Sequence, residues 1–267
     1  RKVFVATNEC SFTINGEPAE LEDLRRDDRL ELTYDSAAAQ NDVSAIDALR
    51  PVIDDRYVIV IGNQKYDDES LAPLSWSAKD AKLIHDTMLT RYGCVPDQTL
   101  LLADETRVRL EQAIPNWLAK AGPDSQVIVY FTGHAYVDAE SKPFLAARDF
   151  ALDRPSESGI SLAWLREQLE ACPASEKLLL LDWSRPGDGA DQTRELSPSA
   201  MLSLIQPEKD PAVFRSTWAI ASCGPDERAI DWGSKQHGAF AWLIAESYSG
   251  KADRNQDIHL EPTELFD

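Results

Sequence analysis

From Tyr57 onward, the chain alternates short apolar runs with segments of helical periodicity. The first run is Tyr57-Val-Ile-Val-Ile-Gly62, and apolar, β-branched runs of this length are typical of strands buried on both faces. Similar runs follow at 98–102, 126–131, 177–182 and 214–222, and helical spacing occupies 78–92, 107–121, 161–172 and 238–249. This order predicts an α/β fold with a mostly parallel central sheet and helices on both faces.

The first fifty residues carry no segment of helical periodicity and predict a small β-rich unit. Asn15-Gly16 is a hairpin-turn signal, and strand-like segments follow at 24–34 and 42–49. We therefore predict two domains, residues 1–52 and 56–267. Because the sequence starts without Met and stops in mid-pattern at Glu264-Leu-Phe-Asp267, we expect a longer parent chain with other domains.

Charge and cysteine content narrow the classes of partner and compartment. A formal net charge of −19 argues against a nucleic-acid or anionic membrane surface, although it suits cationic peptides. The simpler interpretation of this acidity is solubility. No apolar run approaches the roughly 20 residues that span a bilayer. The four cysteines are widely separated, which argues against a zinc site or disulfides and favours the cytoplasm or another reducing compartment.

Two predicted strands end in residues that suit covalent catalysis. One leads into Phe131-Thr-Gly-His-Ala135 and the next into Leu181-Asp-Trp-Ser184. If these strands are neighbours, His134 and Ser184 face each other as general base and nucleophile. Gly133 lets the chain bend before His134, and the N–H groups of Ala135 and Ser184 are candidate oxyanion donors. The alternative is a structural histidine and an ordinary loop serine.

Several motifs occur in the order of a known family. They are Val58-Ile-Val-Ile-Gly-Asn63 followed by Tyr66, Leu74-Ser-Trp-Ser-Ala-Lys-Asp-Ala81, Tyr130-Phe-Thr-Gly-His-Ala135, Leu180-Leu-Asp-Trp-Ser-Arg-Pro-Gly187, Ala221-Ser-Cys-Gly-Pro-Asp-Glu227 and Gly238-Ala-Phe-Ala-Trp242. The set resembles the caspase-type domain of metacaspases and bacterial caspase homologues, over about four fifths of the chain. The resemblance implies a caspase-like cysteine endopeptidase in which His134 is the general base and Ser184 occupies the place of the nucleophilic cysteine.

The resemblance also implies an acidic pocket for the substrate residue before the cut. Its positions here are Asp80 and Asp182, with Ser77 where the family has Cys and Thr132 where it has Ser. Asp226, in the acidic turn, is a further candidate for substrate binding. The implied partners are peptides or proteins with Arg or Lys. The alternatives are stabilisation of a helix N-terminus by Asp80 and a hydrogen-bond acceptor at a strand end for Asp182.

Ser184 is the main departure from the family pattern. A thiol ionises near neutral pH and is nucleophilic, whereas a hydroxyl needs a base oriented by a third group. The sequence identifies no such group for His134, so we expect an inactive, peptide-binding pseudoprotease. Ser184 is either native or introduced in place of Cys. Ala135 for Gly and Pro186 for Ser are further departures that favour native loss of activity.

Two other functions stay open on the sequence alone. One is an active Arg/Lys-specific cysteine protease captured in a Ser184 form, and the other is a non-catalytic scaffold or interaction module. The polar segment 186–211 corresponds to a linker that is often cut in the family, and Arg194 and Lys209 are cationic sites within it.

A calcium site is the only cofactor that the sequence suggests. Asp253, Asn255, Asp257 and Glu264 have the spacing of a calcium loop. However, Ile258 stands where the sharp turn needs glycine, so we favour a solvated acidic turn and predict no metal or other cofactor. His85, His237 and His259 are too scattered to form a metal site.

Overall fold

The computed structural model describes residues 5–14, 16–19, 29–35, 42–49, 55–140, 142–183, 217–223, 229–254, 260 and 264–265. The chain forms two compact units, residues 1–53 and 54–267. Within these described ranges, no helix combines the length and apolar character needed to cross a membrane.

The first unit contains one four-stranded sheet. Its strands are β1 (Val5–Ile14), β2 (Glu17–Pro18), β3 (Arg29–Asp35) and β4 (Asp42–Leu49), in the order β2-β1-β4-β3. Strands β1 and β2 pair antiparallel across the predicted turn, where Gly16 has a φ of 84° that glycine adopts without strain. The buried side chains of Val43, Ile46 and Ala48 form the apolar side of β4.

The second unit is built around a parallel sheet of five strands in the order β12-β11-β7-β5-β6. Its elements are β5 (Asp55–Gly62), α1 (Ser77–Thr90), β6 (Thr99–Ala103), α2 (Arg107–Leu118), β7 (Ser125–Thr132), β8 (Ala135–Val137), β9 (Pro143–Leu145), α3 (Pro155–Ser158), β10 (Ile160–Ser161), α4 (Leu162–Ala171), β11 (Glu176–Asp182), β12 (Thr217–Ala221), β13 (Asp231–Trp232), β14 (His237–Gly238) and α5 (Ala239–Glu246). This arrangement confirms the predicted α/β fold with a parallel central sheet.

The sheet has an apolar core on each face because side chains alternate along its strands. One core joins the sheet to α2 and α4, and it includes Ile59, Val129 and Leu181. The other core joins the sheet to α1 and α5, and it includes Val60 and Tyr130. Burial on both faces explains why the strands appear in the sequence as continuous apolar runs.

Helix α1 begins close to the carboxyl end of β5. Its first turn is capped from a distance, because the Gln64 side-chain Oε1 accepts a hydrogen bond from the Ala78 N–H at 3.2 Å. Gly62 makes this close approach possible, since a Cβ atom there would lie 2.4 Å from the Ala81 Cβ and 3.0 Å from the Ser77 carbonyl oxygen. The first turn of α1 therefore lies beside the edge of the sheet where the candidate site residues are.

Two small antiparallel sheets accompany the main one. Strands β8, β9 and β10 form a three-stranded sheet directly after His134, and β13 pairs with β14 just before α5. Neither was predicted, because strands of two or three residues are too short to show a period of two.

Candidate active site

Strands β7 and β11 are neighbours, so their carboxyl ends bring the two predicted motifs together. Thr132 of β7 is paired with Asp182 of β11, and the Gly133 N–H donates to the Asp182 carbonyl oxygen at 3.3 Å. His134 follows directly and is 2% exposed. The chain leaves β11 through Trp183, which is fully buried against the α2–α4 core. Ser184 itself lies outside the described residues.

The backbone of His134 is held on both sides. Its N–H donates to the Tyr66 hydroxyl at 2.9 Å, and its carbonyl oxygen accepts from the Ala146 N–H at 2.9 Å. The Tyr66 hydroxyl donates in turn to the Asn63 carbonyl oxygen at 3.1 Å. The loop after β5 therefore fixes the position of the His134 backbone.

The imidazole of His134 is oriented by a backbone carbonyl group. Its Nε2 lies 2.9 Å from the Ala72 carbonyl oxygen, which can only accept a hydrogen bond. In the neutral ring the proton is therefore on Nε2 and the basic lone pair is on Nδ1. The Ala72 carbonyl, in the loop before α1, is therefore an orienting group of the kind that a general base requires.

Gly133 lies in a crowded position. A Cβ atom there would approach the Phe131 Cζ to 2.9 Å and the Tyr66 hydroxyl to 3.3 Å. Any side chain would press on the hydroxyl that holds His134. Ala135 opens β8, where it pairs with Leu145 of β9 and is buried.

Four polar side chains form a buried polar cluster beside His134: Ser77, Asp80, Thr132 and Asp182. The Thr132 Oγ1 donates to the Ser77 Oγ at 3.4 Å, which joins the sheet edge to α1. The Asp182 Oδ2 accepts from the Tyr130 hydroxyl at 3.2 Å. Asp80 lies one turn along α1 from Ser77. These four sequence-predicted pocket residues are thus buried at this edge of the sheet and in the adjoining first turn of α1, and none is more than 1% exposed.

Asp80 has partners that the sequence did not suggest. Its Oδ1 lies 2.8 Å from the His237 Nδ1, and the Gly238 N–H donates to both carboxylate oxygens at 3.1 and 3.2 Å. These contacts tie the first turn of α1 to β14. His237 is separated from Asp80 by 157 residues, so no local sequence pattern links the two.

Several residues that the sequence analysis proposed for substrate binding, calcium binding or linker cleavage lie outside the described residues. Asp226, Asn255 and Asp257 lie outside the described residues, as do Arg194 and Lys209 of the linker. Of the calcium-loop positions, the Glu264 Oε1 accepts a hydrogen bond from the Arg254 N–H at 3.0 Å. The described part of the chain contains no group of three or more His, Cys, Asp or Glu residues suited to a metal ion.

Comparison with known proteins agrees with this architecture. The family model of the caspase domain matches residues 55–266, so the chain belongs to the caspase-domain family of peptidases. The chain is also similar in fold to the crystal structure of protein GSU0716 from Geobacter sulfurreducens, with a TM-score of 0.54 and 15% identity over 73% of this chain and 82% of that one. None of the curated proteins matches the chain.

Two features of the site could not be predicted from the sequence. The Ala72 carbonyl carries no sequence signal, since every residue has one. The His237–Asp80 contact depends on the hairpin of β13 and β14. Tyr66 was recognised only as part of the family resemblance, and its role in holding His134 emerges from the geometry.

Proposed function

We propose that this chain is a caspase-like domain of the metacaspase type that binds peptides or proteins through an Arg or Lys side chain, and that Ser184 leaves it without appreciable peptidase turnover. The observation that carries the proposal is the buried polar cluster: Thr132 and Asp182 are paired at the carboxyl ends of β7 and β11, Thr132 contacts Ser77, and Asp80 lies one turn along α1 from Ser77.

The preference for a basic side chain rests on charge and burial. A carboxylate attracts a cation more strongly away from water, and guanidinium groups bind carboxylates through charge-assisted hydrogen bonds. Thr132 and Ser77 add hydroxyl groups to the same cluster. An acidic side chain of a substrate would meet like charge there, so we propose discrimination against Asp-ended peptides.

The lack of turnover rests on the chemistry of residue 184. His134 has its basic nitrogen at Nδ1 and an orienting partner in the Ala72 carbonyl. With a thiol this base would meet an intrinsically reactive nucleophile, whereas a serine hydroxyl is a weak nucleophile at its free pKa. The N–H groups of Ala135 and Ser184 stay candidate oxyanion donors, so the proposed loss of turnover is assigned to the missing thiol.

Peptide binding by the protein as it stands tests the proposal. We expect a fluorescent peptide that ends in Arg to bind at least about 10-fold more tightly than the same peptide ending in uncharged citrulline. Fluorescence anisotropy measures both affinities, and the protein is unchanged between them.

A pair of variants locates the binding. Asp182→Asn should weaken the Arg-ended peptide by about 10-fold, because it removes a buried negative charge. Asp124→Asn is the matched control, since Asp124 is an exposed carboxylate just before the amino end of β7. Equal affinity for the Arg and citrulline peptides would contradict the proposed pocket, and absence of any peptide binding would leave the scaffold function as the better account.

A further inference from the structure

Helix α5 is apolar on almost every side. Seven of its eight residues are apolar, and three of these, Ala241, Ile244 and Ala245, are buried against the sheet unit. Leu243 is 58% exposed. A helix that is apolar all round is usually covered on every side, so the outer face of α5 is a candidate contact surface.

The exposed apolar surface extends onto the β13–β14 hairpin. Trp232 is 41% exposed, and the Lys235 Nζ lies 5.9 Å from the Trp232 ring centroid and 4.5 Å from that of Trp242. Ile230 is 70% exposed, and its carbonyl oxygen accepts from the Ala239 N–H, at the start of α5, at 2.8 Å. The apolar residues of the hairpin and of α5 therefore form one surface.

A groove of about 280 Å³ lies between α1 and α5 at this surface. Leu83 of α1 and Trp242 and Ala245 of α5 contribute its apolar lining. A smaller pocket of about 90 Å³ continues the groove, and Arg91 and Ser249 line both spaces. The α1–α5 groove therefore combines room for a large apolar side chain with a guanidinium group where the two spaces meet.

The two carboxylates of the larger space already have lysine partners. The Lys82 Nζ lies 2.7 Å from the Asp86 Oδ2, and Lys251 is paired with Glu246. Arg91 is exposed and forms no ion pair within the described part of the chain. A cation is favourable at this position because it lies at the negative end of the α1 dipole, and its guanidinium group stays available to a carboxylate.

The charge balance of this face is the reverse of that of the whole chain, which has 27 basic and 46 acidic residues. On α1, the hairpin, α5 and the turn after it, the solvent-accessible charged side chains of the described residues are six basic and four acidic: Lys79, Lys82, Arg91, Lys235, Lys251 and Arg254, against Asp86, Asp231, Glu246 and Asp253. Complementarity of charge therefore favours an acidic partner segment over a basic one on this face.

We propose that the α1–α5 groove docks an acidic segment of a partner protein, which places a large apolar side chain beside Trp242 and Leu83 and a neighbouring carboxylate on Arg91. An apolar anchor in a groove between helices, with a charge pair at its side, is a common mode of peptide recognition.

The groove is separate from the candidate active site. Helix α1 has 14 residues and spans about 21 Å from its first turn, which carries Ser77 and Asp80, to Arg91 at its C-cap. The two sites also prefer opposite charges, since the buried polar cluster is acidic and the groove offers a free cation. The inference therefore goes beyond the proposed function and does not depend on it.

Selection from a displayed library of random short peptides, on the protein with Ser184 in place, tests the inference. The enriched peptides should carry Asp or Glu close to Leu, Phe or Trp. For one such peptide, measured by fluorescence anisotropy, Arg91→Glu should weaken binding at least about 10-fold, and Arg91→Lys should weaken it less. Arg109→Glu is the matched control, since Arg109 is an exposed arginine in the first turn of α2, and it should bind as the parent.

Variants of the selected peptide identify the two contacts. Replacing its acidic residue by the corresponding amide should weaken binding to the parent but not to Arg91→Glu, which would couple that carboxylate to Arg91. Replacing its apolar residue by Ala should weaken binding to both proteins. An excess of the Arg-ended peptide should not displace it, because that peptide is expected at the other site.

Several results would overturn the inference. They are enrichment of basic peptides or of none, an acidic peptide whose affinity Arg91→Glu leaves unchanged, and a different occupant of the face. Self-association in sedimentation velocity that Arg91→Glu abolishes would assign the face to a second copy of the chain. Binding to phosphatidylserine vesicles that Arg91→Glu abolishes would assign it to a membrane. Affinity for the Arg-ended peptide should be unchanged in Arg91→Glu, so the proposed function fails or holds separately.

Discussion

Tyr66 acts on the site from a position 68 residues before His134. Its hydroxyl accepts from the His134 N–H, and its ring centroid lies 5.0 Å from that of the imidazole. The sequence could predict His134 and Ser184 as partners because each follows an apolar run. It could not predict the groups that hold His134, since they come from loops whose positions depend on the folded sheet.

Tyr66→Phe tests this support. The change leaves the buried His134 N–H without its acceptor, so we expect a loss of about 1–2 kcal/mol in the free energy of unfolding. Hydrogen exchange at the His134 amide should also become at least about 10-fold faster. Urea unfolding and exchange measured by NMR check the two effects. Tyr57→Phe is the control, and an unchanged exchange rate in Tyr66→Phe would show that the hydroxyl does not hold the backbone.

At the scale of elements, the sequence predicted the strands and helices in which a regular pattern of buried residues extends over many positions. The central strands are buried on both faces, and the main helices pack through one apolar stripe, so both were predicted within a few residues. The N-terminus of helix α1 shows what the sequence could not predict. Trp76 at its N-cap makes no side-chain capping hydrogen bond, and the cap comes from Gln64, across a loop. Strands β13 and β14 have two residues each, which is too short to produce an alternating hydrophobic pattern in the sequence.

Gly62→Ala tests how closely α1 must approach the sheet. The added methyl group would lie 2.4 Å from the Ala81 Cβ, so the first turn of α1 has to move. We expect a loss of about 1–3 kcal/mol in the free energy of unfolding, as in other overpacked cores. Because Ser77 and Asp80 lie in that turn, affinity for the Arg-ended peptide should fall as well.

A matched glycine shows whether the effect is local. Gly122→Ala places its methyl group at an ordinary 3.8 Å from the Ser125 Oγ, so it should leave both stability and peptide affinity nearly unchanged. If Gly62→Ala were as stable as the parent and bound the peptide equally well, the close packing of α1 would not be what positions the cluster.

At the scale of the whole molecule, the second unit retains the caspase-domain framework around its candidate base. Its parallel sheet has an apolar core on each face, and Ser184 is the main departure from the family pattern, with Ala135 and Pro186 as further departures. The thiols of Cys94, Cys172 and Cys223 in this unit are buried, and burial raises the pKa of Cys94 to about 11.

Turnover after Ser184→Cys tests the central claim most directly. Cleavage of a fluorogenic Arg-ended peptide should rise at least about 1000-fold over the Ser184 protein and be lost again on adding His134→Ala. An Asp-ended peptide should not be cleaved. A Ser184→Cys protein that folds normally and binds the Arg-ended peptide, yet cleaves it no faster than the Ser184 protein, would contradict the claim that only the reactive sulfur is missing.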